Sequence, residues 1–155
     1  MKVIVFSDSH SDVLGMQKAV ELEAPDVLIH LGDYFSDFLK LKREFPQLCC
    51  YGVAGNCDKG QEPLSSVLQI DGISFFLTHG HRYHVKSGLI SFYYAALEQK
   101  AHIALYGHTH IPQVDCINGL TLLNPGSIGT GTRKTYAIIE TDGEHFSYRI
   151  TELTN

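Results

Sequence analysis

The stretch Lys2-Val3-Ile4-Val5-Phe6-Ser7-Asp8-Ser9-His10 decides how the chain is read. Residues 3–6 are an unbroken apolar run, the pattern of a strand buried on both faces in a sheet covered by helices. The carboxylate of Asp8 and the imidazole of His10 stand where that strand runs out. The same layout recurs at residues 27–31 before Gly32-Asp33, 51–54 before Gly55-Asn56, 73–77 before Thr78-His79, and 103–106 before Gly107-His108-Thr109-His110. In open α/β sheets ligands sit beyond the carboxyl ends of the strands. These tips are therefore expected to converge on a metal cluster.

The residues between the runs supply the rest of the architecture. Positions 13–23 carry a helical stripe of Val13, Leu14, Met16, Ala19, Val20 and Leu22, stopped by Pro25. Positions 35–45 repeat the pattern before Pro46. The first third thus reads β-α-β-α-β, which favours a parallel sheet with covering helices. Beyond Pro63 the character changes. Residues 67–70, Asp71-Gly72 and 73–77 read as a hairpin, because Asp-Gly tolerates the positive φ of a tight turn. A helix is expected over 88–100, and further hairpins around Asn118-Gly119 and Asp142-Gly143. With no repeat or linker, the chain reads as one domain, residues 1–155, holding two stacked sheets in one core.

Composition narrows the function. A formal net charge of −5 lacks the clustered Lys and Arg of a nucleic-acid surface, and no groove of interleaved basic and aromatic residues suggests a nuclease. Cys49, Cys50, Cys57 and Cys116 have no Cys-x-x-Cys spacing and suggest reduced thiols. No secretory signal and no membrane span are evident. A cytoplasmic location is expected.

Asp8, His10, Asp33, Asn56, His79, His108 and His110 form a set of oxygen and imidazole donors without thiolate, suited to Mn, Ni, Fe(II) or Zn. Two ions would need a shared ligand, and a carboxylate bridges where Asn and His do not. Asp33 is the natural bridge. Two ions about 3.5 to 4 Å apart can clamp the oxygens of an in-line displacement at phosphorus, so the set describes a hydrolase.

Asp8-Ser9-His10, Gly32-Asp33, Gly55-Asn56-Cys57-Asp58, Thr78-His79-Gly80-His81 and Gly107-His108-Thr109-His110, in that order and with Asn124-Pro125-Gly126-Ser127 near the end, resemble the calcineurin-like metallophosphoesterase superfamily, in particular its small stand-alone phosphodiesterases. The resemblance implies a four-layer α-β-β-α sandwich of two mainly mixed sheets flanked by helices. It also implies a phosphodiesterase with two divalent ions, manganese foremost. One ion would be held by Asp8, His10 and His110, the other by Asn56, His79 and His108, with Asp33 between them. Many members carry a proton-donating His after the Asn; this chain has Cys57, which leaves the general acid open. A phosphomonoesterase is a near alternative, for which Arg82, Lys86 and Arg133 are the cationic candidates. Another is a non-catalytic protein-binding scaffold, as in relatives that have lost ligands.

Four further side chains are candidates for the catalytic machinery. His81 and His84 fall in a loop at the rim, where an imidazole can donate a proton to a leaving alkoxide. Cys57 reads mainly as a small buried side chain, and Asp58 as a group that orients a histidine or accepts hydrogen bonds from its loop. His30, His102 and His145 read as structural or exposed. Phe92, Tyr93 and Tyr94 read as helix core, with a share left for a pocket or a homo-oligomer contact.

Overall fold

The computed structural model describes residues 1–154. Its first third is β1 (Lys2–Phe6), α1 (Val13–Glu23), β2 (Val27–His30), α2 (Phe35–Glu44) and β3 (Cys49–Gly52). The strands run parallel, with Val3 opposite Val27 and Val27 opposite Cys49. A hairpin of β4 (Ser65–Ile70) and β5 (Ile73–Thr78) follows, then a 3-10 turn (His81–Tyr83), α3 (Ile90–Glu98), β6 (Ile103–Leu105), β7 (Pro112–Ile117), β8 (Leu120–Pro125), β9 (Thr135–Thr141) and β10 (Phe146–Glu152). The strands form two five-stranded mixed sheets, ordered β10-β9-β1-β2-β3 and β4-β5-β6-β8-β7.

Strand periodicity explains why these runs are apolar at every position. Val3, Val5, Val27 and Ile29 point into the space between the sheets, against Phe75, Leu77, Ile103, Leu105 and Leu123. Their neighbours Ile4, Phe6 and Leu28 point the other way, onto Met16, Ala19 and Val20 of α1 and Phe38 and Leu41 of α2. On the second sheet Phe76, Ala104, Tyr106 and Leu122 meet Phe92 and Ala96 of α3. Three apolar layers separate four layers of secondary structure, the α-β-β-α sandwich expected from the motifs.

The helix expected over 13–23 has those bounds, and it is capped by Asp12, whose Oδ1 accepts the Gly15 N–H at 2.9 Å. The largest displacement is at β3, which lies two residues earlier than the apolar run suggests. Val53 and Ala54 are buried beyond its end, where their N–H groups donate to the carbonyls of His30 (3.0 Å) and Pro63 (2.8 Å). Edge position explains the shift: with only β2 beside it, β3 keeps half-exposed residues in the ladder while the apolar pair serves the loop below. Among the described residues no helix is long and apolar enough to cross a membrane, and all four cysteines are free.

Candidate metal centre

Parallel β1, β2, β5 and β6 end on one edge of the sandwich, and the loops leaving them hold an unusual backbone. Asp8 (φ 54), His10 (φ 41), Asp33 (φ 59), His108 (φ 69) and His110 (φ 61) all occupy the left-handed region. Side-chain-bearing residues avoid it, and such strain, of order 1 kcal/mol or more per residue, gathers where function demands it. Glycine lets the loops meet. A Cβ on Gly55 would lie 2.1 Å from Asp33 Oδ1, and one on Gly107 would lie 1.9 Å from Ser7 Oγ and 2.9 Å from Asp8 Oδ2.

Donor atoms of Asp8, His10, Asp33 and His110 all lie within 4.8 Å of one another. His110 Nε2 is 3.1 Å from Asp8 Oδ1, and His10 Nε2 is 4.0 Å from Asp33 Oδ2. The other Asp33 oxygen, Oδ1, faces His79 Nε2 at 3.5 Å, and that nitrogen is also 3.1 Å from Asn56 Oδ1 and 3.8 Å from Asp8 Oδ1. His108 closes this side, its ring centroid 5.1 Å from that of His79. Asp33 thus turns one oxygen toward His10 and the other toward His79. All seven residues singled out in the sequence meet at one place.

Counting hydrogens shows what the centre needs. His79 Nδ1 lies 2.8 Å from the Leu31 carbonyl, which can only accept, so Nδ1 carries the hydrogen and Nε2 of the neutral ring directs a lone pair at the oxygens of Asn56, Asp33 and Asp8. Ser127 Oγ donates to the Asp8 carbonyl at 2.8 Å and accepts from the Gly129 (3.2 Å) and Thr130 (2.9 Å) N–H groups, while Thr130 Oγ1 lies 2.8 Å from it and 2.9 Å from His110 Nδ1. His110 Nε2 lies 3.1 Å from Asp8 Oδ1. A lone pair facing carboxylate oxygens, as at His79, requires a cation between them, a proton or a metal. The buried Asp8 Oδ1 and His10 Nε2 have no hydrogen-bond partner, an expensive state for polar atoms. This oxygen and imidazole set fits a divalent cation, and an outer N–H fixed by carbonyl or hydroxyl is the usual support of a metal-binding histidine.

The electrostatics agree. Burial pulls the His79 imidazole down, but the Asp33 hydrogen bond and the charges of Asp8 and Asp33 overcome it, and its pKa is raised. Burial likewise pushes Asp33 up, and the His79 ring and Cys57 N–H outweigh it, leaving the carboxyl well below the ordinary carboxylate range. Burial, with the nearby His79 and Lys86 charges, lowers His108 to about 4. That shift favours the neutral imidazole, the form a divalent cation would take.

Behind the centre lies a polar layer with little sequence signal. Ser7 Oγ (2.6 Å) and the His108 N–H (3.1 Å) both bind Asp8 Oδ2, leaving only Oδ1 free. Asn124 donates to the Gly107 carbonyl at 3.0 Å and to Thr109 Oγ1 at 2.9 Å. Buried Asp37 accepts from Ser9 Oγ (2.9 Å) and the Ser11 N–H (2.8 Å), and His30 joins through Ser9 at 3.2 Å. Desolvation lowers His30 to about 4.

The four catalytic candidates separate. His81 sits in the cluster, its ring 5.5 Å from His79 and 6.2 Å from His108, with a buried Nδ1 lacking a partner. His84 is exposed at the end of the 3-10 turn. Cys57, expected to be buried, is exposed because its backbone N–H, at 2.9 Å from Asp33 Oδ1, is the part turned inward. Burial and then Asp33 raise its pKa, so it is a thiol. Both Asp58 oxygens accept backbone hydrogens, from Phe35 and Gly55, at 2.8 Å each. It caps α2, whose own N-cap Tyr34 makes no side-chain bond. Arg82 and Lys86 are exposed, and Arg133 is paired with Glu152 at 2.8 Å. Phe92 is core, while Tyr94 is 58% exposed.

Comparison with known proteins gives one answer. Residues 1–144 match the model of the calcineurin-like phosphoesterase superfamily domain. The probable metallophosphoesterase YsnB of Bacillus subtilis is 33% identical over 96% of this chain and 89% of its own. The phosphodiesterase MJ0936 of Methanocaldococcus jannaschii is 30% identical over 81% of this chain and 83% of its own. A crystal structure of a predicted phosphoesterase from Streptococcus pneumoniae superposes with a TM-score of 0.82 at 30% identity, covering 97% of this chain and 88% of that one. The chain belongs to the calcineurin-like phosphoesterase superfamily.

Proposed function

We propose that this member of the superfamily is a phosphodiesterase working with two divalent metal ions, manganese first among nickel, iron and zinc. Asp8, His10 and His110 would hold one ion, and Asn56, His79 and His108 the other, with Asp33 shared. Bound there, the pair would lower the pKa of a water toward about 7 and offset charge on the phosphoryl oxygens. Asp33 supports sharing by turning its two oxygens to different histidines. The observation that carries the reading is the His79 Nε2 lone pair turned to the oxygens of Asn56, Asp33 and Asp8, beside the unpartnered buried Asp8 Oδ1 and His10 Nε2.

The chain's own residues do the rest. The Leu31 carbonyl holds the His79 ring in one tautomer, Thr130 holds the His110 ring through Nδ1, and Ser7 keeps Asp8 Oδ1 free by occupying Oδ2. His81, in the histidine cluster with its Nδ1 free, is the group placed to give a proton to the departing alkoxide. His84, Cys57 and Asp58 take no part in that step, because His84 is exposed, the thiol faces solvent and the Asp58 oxygens are occupied.

Two rivals fit less well. A phosphomonoester carries an extra negative charge, and Arg133 is already neutralised by Glu152. A protein-binding scaffold has no use for unpartnered buried donor atoms. Free cysteines suit a cytoplasmic setting. The test is hydrolysis of bis(4-nitrophenyl) phosphate by chelator-stripped protein restored with manganese, with metal counted by elemental analysis. Turnover that depends on the metal, two ions per chain, collapse in Asp33→Ala and survival in Cys57→Ala are the expected results. Equal loss in both variants, or one ion in the active protein, refutes the assignment.

A further inference from the structure

The edge that carries the metal ligands also carries the start of β7, the start of β9 and the end of β10, because these strands run antiparallel to their neighbours β8, β1 and β9. β7 and β10 are edge strands of the two sheets. Where they part, a cleft of about 690 Å³ opens directly beside His110 and Thr130, within the roughly 300 to 1,000 Å³ typical of small-molecule sites. Ile111, Pro112 and Ile150 form an apolar patch in it beside the hydroxyls of Thr130, Thr132 and Thr135, and Ile111, directly before β7, is 63% exposed. Arg133 and Glu152 stand in its wall, with both Arg133 Nε (2.9 Å) and Nη2 (2.8 Å) on the same Glu152 oxygen. The cleft thus joins an apolar patch to uncharged hydroxyls, and its one cation and one carboxylate face each other.

A phosphodiester held at the metal centre has two ester arms, and one of them must leave the centre past its rim. We propose that the cleft beside His110 receives that arm and selects diesters whose arm is uncharged and largely apolar, an aryl or similar planar group, over small-alkyl diesters and over substrates with a second phosphate. The proposal rests on the phosphodiesterase reading. An apolar arm would remove exposed Ile111 and its neighbours from water. A second phosphate would have to compete with Glu152 for Arg133, the one cation in the cleft's wall, and would meet the Glu152 carboxylate there.

The test measures binding apart from turnover. Manganese-loaded protein is titrated calorimetrically with diphenylphosphinate and with dimethylphosphinate, diester mimics without a hydrolysable ester bond. The intact protein should prefer the diphenyl compound at least tenfold, about 1.4 kcal/mol, and in Ile111→Ser the preference should fall to threefold or less. Equal affinities in the intact protein, a preference undiminished in Ile111→Ser, or no binding of either compound overturns the proposal. Hydrolysis of bis(4-nitrophenyl) phosphate is assayed separately. No turnover with the arm preference intact sinks the diesterase reading and leaves the cleft assignment standing; turnover without arm preference does the reverse.

Discussion

Replacing Thr130 by Val would remove a single hydroxyl and keep the β-branched shape. That hydroxyl is 2.9 Å from His110 Nδ1 and 2.8 Å from Ser127 Oγ, and its contact with Nδ1 holds the ring so that Nε2 is the nitrogen turned to Asp8. Without it the ring can rotate or change tautomer, and Nε2 no longer meets Asp8 Oδ1 at 3.1 Å. Losing such an outer partner typically weakens metal affinity 10- to 100-fold, about 1.4 to 2.7 kcal/mol. Stability should change by only about 1 kcal/mol, the net worth of one hydrogen bond, because Thr130 is half-buried. Calorimetric titration of chelator-stripped protein with manganese should show one of two binding steps weakened and the other kept. Thr130→Ser, which retains the hydroxyl, should restore the weakened step. Wild-type binding in Thr130→Val, or equal loss in Thr130→Ser, would falsify the orienting role.

Three other outcomes follow from the same geometry. Gly107→Ala places a methyl 1.9 Å from Ser7 Oγ and 2.9 Å from Asp8 Oδ2; overpacking of this kind costs about 1 to 3 kcal/mol, and a denaturant melt should show it together with weakened manganese binding. Asp58→Ala strips two backbone donors of their acceptor, so a loss of roughly 1 to 2 kcal/mol in the melt with appreciable turnover is expected, whereas abolished turnover in a well-folded variant would make Asp58 a member of the catalytic machinery. His30 is buried and lowered from 6.5 to about 4, so the unfolded chain takes up a proton that the folded one refuses as pH falls through that window. Metal-free protein should therefore lose up to about 3 kcal/mol between pH 6.5 and pH 4, and His30→Gln should flatten that part of the stability curve; an unaltered curve argues against a neutral buried His30.

The fold was legible because strand burial leaves an unmistakable trace. Runs such as Val3 to Phe6 are apolar at both odd and even positions, and the structure shows why, with Val3 and Val5 between the sheets and Ile4 and Phe6 under the helices. Strand ends were less legible where the sheet has an edge. At β3 the apolar Val53 and Ala54 fill a loop, while the exposed Cys49 and Tyr51 sit in the ladder. Sequence periodicity senses burial, and here burial and pairing part company. Cys57 misled for a related reason: a small thiol beside Gly55 reads as core, yet only its backbone faces inward.

At the metal centre, sequence could place imidazoles but not say which nitrogen each presents. For His79 the Leu31 carbonyl decides, a group every residue possesses and no motif can mark, and the His110 ring is oriented by Thr130, 20 positions away in a loop without periodicity. The left-handed backbone at Asp8, His10, Asp33, His108 and His110 is equally silent, since none of these is the glycine that would announce it. On the proposed reading a cation held between the imidazoles and carboxylates would repay this strain, so the same backbone should relax more readily in metal-free protein than the apolar layers on either side. The donor set and its strained scaffold would then act as one device.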